Sequence, residues 1–105
     1  MDDIIIIHFE RTGGITGISL EHTADLRRME PDEAGHIQDL VFQAGLITDQ
    51  NRQDSVSGYP DHFMYKIIIE TTISREVYYF PDEEVPEEAW PLIRYLMRKA
   101  RKLQV

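Results

Sequence analysis

No cysteine occurs among the 105 residues, which excludes a disulfide framework and any thiolate metal site. Long apolar runs are also missing. The longest, Ile4 to Ile7, falls far short of the roughly 20 residues that a membrane helix requires. The start, Met1-Asp2-Asp3, is acidic where a secretory signal carries a basic segment, so a cytoplasmic chain without membrane contact is the expectation. Positive charge is scarce as well: 11 Lys and Arg stand against 19 Asp and Glu, a net charge of −8. Neutralising phosphates needs the opposite balance, which argues against nucleic acid as a partner.

Catalytic constellations are absent in the same way. The serines are few (Ser19, Ser55, Ser57 and Ser74), and none stands in nucleophile-elbow surroundings. His8, His22, His36 and His62 show no metal-ligand spacing, and no His-Glu-x-x-His pair occurs. Gly13-Gly14-Ile15-Thr16-Gly17 has neither the spacing nor the strand-to-helix context of a phosphate-binding loop. Asp82-Glu83-Glu84 lacks the alternating oxygen ligands of a dedicated calcium loop. No catalytic residue, cofactor or metal is therefore expected, and the chain reads as a protein that acts by surface contact rather than as an enzyme.

What is present is a well-patterned small domain. One domain over residues 1–105, with 42% apolar and 29% charged residues, is the natural reading. Ile5, Ile7 and Phe9 alternate with His8 and Glu10, the period-2 signature of a half-buried strand, and Ile18 and Leu20 continue the buried face. Gly13-Gly14 between these runs is a strong hairpin signal, because primed turns need positive φ. A two-residue loop there predicts Phe9 opposite Ile18, Ile7 opposite Leu20 and His8 opposite Ser19. Thr23 to Glu30 reads as a polar connection.

Pro31-Asp32-Glu33 opens a helix, Ile37, Leu40, Val41 and Ala44 form its apolar stripe, and Gly45 is placed to stop it. The polar stretch Thr48 to Pro60 is a long surface loop, a length common in functional loops. Phe63, Tyr65, Ile67 and Ile69 then predict a third strand, and the bend at Thr71 to Ser74 leads to a fourth that ends at Pro81. Val77 and Tyr79 are expected inward, which leaves Tyr78 and Phe80 as an outward contact patch. A looser turn over Pro86 to Ala89 precedes a last helix starting near Trp90, with Ile93, Leu96, Met97, Ala100 and Leu103 as its stripe. Acids (Asp82, Glu83, Glu84, Glu87, Glu88) precede this helix and bases (Arg94, Arg98, Lys99, Arg101, Lys102) follow, which matches the helix dipole.

The expected architecture is α+β: a ββαββα order forming a four-stranded antiparallel sheet with two helices packed on one face. Following the chain direction, the Gly-Gly turn, the long loop and the Pro81–Val85 connection gather at one end.

Three segments carry a resemblance to a known family: Phe9-x-Arg11-x-Gly13-Gly14-Ile15-x-Gly17, Pro60-Asp61-x-Phe63-x-Tyr65-x-Ile67, and Trp90-Pro91-Leu92-Ile93. Together they resemble the emfourin-like proteins, small bacterial inhibitors associated with protealysin and other thermolysin-like metallopeptidases. The resemblance implies a thermolysin-like zinc peptidase as partner of a monomeric inhibitor, with the hairpin and neighbouring loops blocking its active-site cleft. On that implication Arg11, Thr12, Gly13, Gly14, Ile15 and Thr16 contact the partner, with Thr12 to Thr16 entering the cleft and Ile15 filling an apolar pocket. Val56, Ser57, Gly58, Tyr59 and Pro60 brace its rim. Two other readings stay open: Gly13-Gly14 only close a turn while Arg11 pairs with an acid, or the chain is a non-catalytic adaptor docking through its acidic surface or the Tyr78/Phe80 patch.

Overall fold

The computed structural model describes residues 4–13, 19–46 and 63–103. These form strands β1 (Ile4–Gly13) and β2 (Ser19–Asp25), helix α1 (Pro31–Ala44), strands β3 (Phe63–Thr71) and β4 (Arg75–Pro81), helix α2 (Trp90–Lys99) and a short β5 (Arg101–Leu103). The sheet is antiparallel in the order β4-β3-β1-β2-β5. Ile7, Phe9, Ile67 and Ile69 on the sheet and Ile37, Val41, Leu92, Ile93 and Leu96 on the helices form one core, almost wholly withdrawn from solvent. Both helices thus cover one face, as the apolar pattern predicts. Among the described residues no helix is long and apolar enough to cross a membrane.

The helix signals hold. Pro31 opens α1 with Asp32 and Glu33 in the first turn, and all four stripe residues are buried. Gly45 closes it in the left-handed region at φ 75°. The turn before α2 is a 3-10 turn at Glu87–Ala89, and α2 begins at Trp90.

Strand details depart from expectation in instructive ways. β1 continues through Gly13, which pairs with Phe63, and the β1–β2 partners are Phe9 with His22, His8 with Thr23 and Arg11 with Leu20. The pairing therefore sits four residues away from the two-residue-turn register. A slip by an even number keeps every side chain on its face, so the apolar alternation could not exclude it. Residues 14–18, which include Gly14, Ile15 and Thr16, lie outside the described residues. A register shift against β3 between Ile4 and Ile6 also buries Ile4 together with Ile7, whereas Ile5 is only partly buried. β2 runs on to Asp25, and the connection carries buried Ala24 and Leu26 rather than being uniformly polar.

The faces of β4 are the reverse of the expected ones. Tyr78 and Phe80 are each 6% exposed and belong to the core, while Val77 and Tyr79 lie on the other face and are partly exposed. Thr71 and Ser74 close a two-residue turn (Thr71 N to Ser74 O, 2.9 Å), so partner numbers sum to an odd value and inward Tyr65 and Ile67 face Phe80 and Tyr78. The choice is also the stronger one energetically. An extra aromatic ring buried in place of Val77 is worth about 1–2 kcal/mol. The C-terminal helix stops at Lys99; Ala100 is extended (ψ 151°), and Arg101–Leu103 pair with β2 as a fifth strand instead of extending the helix to Leu103. That addition covers a strand edge that the four-stranded arrangement leaves open.

Candidate functional site

One end of the sheet collects the segments singled out by the sequence. Gly13 faces Phe63, Met64 faces Pro81, and Ser19 faces Leu103. Gly13, Ser19 and Phe63, the described residues that flank segments 14–18 and 47–62, therefore stand at this end. The Asp82–Glu84 turn follows Pro81 at the same end. The opposite end carries the Thr71–Ser74 turn and the Leu26–Arg28 turn. Of the eleven expected contact residues, Arg11, Thr12 and Gly13 are described. Gly14, Ile15, Thr16, Val56, Ser57, Gly58, Tyr59 and Pro60 lie outside the described residues.

Gly13 adopts φ 94° while still paired in the ladder, a backbone setting that side-chain-bearing residues rarely reach. Thr12, opposite Met64, sits on the sheet face away from the helices. Arg11 is on the helix side. Its guanidinium lies 4.1 Å from the centroid of the Phe63 ring, and its Nη1 approaches the Met97 sulfur at 3.5 Å. Its Nε is buried with no hydrogen-bond partner among the described residues. Among the described residues Arg11 thus contacts an aromatic ring and a thioether, and these fasten the base of the hairpin to α2. A cation held on an aromatic face contributes about 0.5–2 kcal/mol.

Next to it Tyr65 donates its hydroxyl to Asp82 Oδ1 at 3.0 Å. Burial, reinforced by that bond to a carboxylate, pushes the Tyr65 phenol up to about 12. Trp90 meets the Tyr65 ring edge-on at 5.8 Å, and Phe9 lies 6.2 Å away on its other flank. The start of β3, the turn after β4 and the start of α2 are locked together by this aromatic block. Asp82 was legible only as part of an acidic helix entry, because its partner depends on the β3–β4 register.

On the opposite sheet face the register assembles a group that no sequence spacing announces. His8 and Glu10 alternate on β1, and Glu21 lies directly across from Glu10 on β2. His8 Nε2 is 2.8 Å from Glu10 Oε2 and 3.8 Å from Glu21 Oε2, and His8 Nδ1 is 2.6 Å from Thr23 Oγ1. The expected Tyr78/Phe80 contact patch does not exist, since both rings are in the core. Tyr78 moreover donates its hydroxyl to the Leu46 carbonyl.

The fold and site define a two-layer α+β domain braced at one end by the Arg11–Phe63 and Tyr65–Asp82 contacts. The chain belongs to the Emfourin family, which matches it over residues 9–97. As a member of that family it is not an enzyme. Among solved structures it is similar to emfourin (M4in) from Serratia proteamaculans, an M4 family peptidase inhibitor, at 16% identity and a TM-score of 0.51. The likeness spans 99% of this chain and 95% of that one, and supports the common fold. No match is found among curated proteins.

Proposed function

We propose that this chain is a protein inhibitor of thermolysin-like (protealysin-like, M4 family) zinc metallopeptidases, acting as a monomer in the cytoplasm. The observation that carries the reading is the family match over residues 9–97, joined to the fold shared with an M4 peptidase inhibitor. Within it, the tip residues Thr12 to Thr16 enter the enzyme's cleft and Val56 to Pro60 brace the rim. Ile15 supplies a bulky apolar group for the pocket beside the scissile bond. Arg11, stacked on Phe63 and lodged against Met97, stiffens the hairpin's base behind these residues. Preorganisation of this kind lowers the ordering cost of binding.

The test is a titration of a purified thermolysin-like peptidase with the full chain. Activity falling linearly to zero at one equivalent supports the inhibitory reading; unchanged activity at tenfold excess overturns it. Ile15→Asp addresses the cleft insertion separately. Retained potency in a folded Ile15→Asp protein would show that inhibition uses another surface.

A further inference from the structure

The open face of the sheet brings one imidazole and two carboxylates together. Glu10 and Glu21 are cross-strand partners, and like charges directly opposite one another are destabilising. Lys66 is the other cross-strand neighbour of Glu10, and its ammonium lies toward the Tyr79 ring, 5.8 Å from the centroid. His8 stands between the two carboxylates, one imidazole nitrogen directed at both. Its other nitrogen is engaged by Thr23. In the tautomer whose Nδ1–H donates to the Thr23 hydroxyl, the Nε2 lone pair faces two carboxylate oxygens and is free to ligate a cation with them; in the other tautomer Nε2–H donates to Glu10.

We propose that His8 Nε2, Glu10 and Glu21 form a binding site for a divalent transition-metal ion of the zinc class. The three donor atoms lie within 4.8 Å of one another. Donors at about 2.0–2.1 Å from a tetrahedral zinc are separated by roughly 3.3 Å. The two His8–carboxylate distances of 2.8 and 3.8 Å bracket that value. Imidazole with carboxylate suits zinc and its neighbours, and water completes the coordination at a surface site. The Thr23 hydroxyl, by accepting from Nδ1–H in the ligating tautomer, serves as the outer partner that leaves Nε2 free. All four residues sit on paired strands, so the donors are already in place and little ordering is needed. The site lies on the sheet face opposite the helices and is independent of the inhibitory reading.

The experiment uses the full chain, stripped with a chelator and titrated with zinc chloride by calorimetry and with cobalt chloride by visible absorption. The expected result is one saturable equivalent, with a cobalt spectrum typical of nitrogen and oxygen donors. His8→Gln and Glu21→Gln each weaken binding by at least tenfold. Thr23→Val, which keeps all three donors, weakens it by roughly 10-fold. His22→Gln leaves it unchanged, and circular dichroism confirms that every variant is folded. Backbone and imidazole NMR shifts on zinc addition center on residues 8, 10, 21 and 23. Absence of saturable binding, or binding that survives in a folded His8→Gln protein, overturns the proposal and leaves a proton as the group that joins His8 to Glu10.

Discussion

The hydroxyl of Tyr65 ties a β3 side chain to the turn that follows β4, and its removal is a clean measure of that tie. Tyr65→Phe keeps the ring against Trp90 and Phe9 and deletes only the bond to Asp82. A loss of about 1 kcal/mol in denaturant unfolding is expected. The same residue sets an alkaline limit, as does Tyr95, whose hydroxyl donates to Glu33 at 2.8 Å. Burial, with help from the neighbouring carboxylate, raises both phenols from the ordinary 10.0 to about 12. The folded protein therefore retains protons that the unfolded chain releases, and stability must fall as pH rises from about 10 through about 12. Thermal melts across that window should show the decline in the native chain and a shallower one in Tyr65→Phe and Tyr95→Phe. A pH-independent melting temperature there would contradict the assignment. Tyr78→Phe serves as a further check on β4: with the ring inside and its hydroxyl on the Leu46 carbonyl, about 1–2 kcal/mol should be lost. An outward Tyr78 would lose almost nothing.

Elements were legible in the sequence where a residue's backbone chemistry is decisive. Pro31, Gly45 and Pro81 each mark a boundary that the structure keeps, because fixed φ, left-handed φ and a missing donor leave the chain little choice. At Gly45 an added Cβ meets nothing within 4 Å, so Gly45→Ala isolates the conformational term at φ 75°. The expected cost is about 1 kcal/mol, read as a lower urea midpoint with an unchanged slope. Strand registers were less legible, for a reason that is arithmetic. Period-2 patterning fixes which face a residue occupies but not which partner it meets, and Phe9 with His22 satisfies it as well as Phe9 with Ile18. The parity of β4 failed differently: Val77, Tyr78, Tyr79 and Phe80 are all apolar enough for either face, and only the two-residue turn decides. His8, Glu10 and Glu21 were invisible together because a cross-strand contact has no sequence spacing.

At the scale of the molecule, chain direction alone placed the hairpin, the re-entry of the long segment and the Asp82–Glu84 turn at one end, and the pairings of Gly13, Met64 and Ser19 agree. The proposed contact residues rest only on family resemblance, since a surface that binds a partner leaves no periodic trace in the chain that carries it. This polarity makes a matched comparison possible. Ile73, 78% exposed in the Thr71–Ser74 turn, is an apolar residue at the far end of the sheet, and Ile15 belongs to the segment proposed to enter the enzyme. Ile73→Asp adds one negative charge and removes one exposed side chain, a change expected to alter stability by no more than about 0.5 kcal/mol. Ile15→Asp makes the identical chemical change in the segment between Gly13 and Ser19. If the loop end binds the peptidase, Ile15→Asp should raise the inhibition constant at least tenfold, because a carboxylate cannot enter an apolar pocket without losing its hydration. Ile73→Asp should leave it within twofold. Net charge shifts equally in both, so long-range repulsion between inhibitor and enzyme cancels from the comparison. Equal losses in the two variants would reduce the effect to charge, and a larger loss at Ile73 would move the binding surface to the opposite end of the fold.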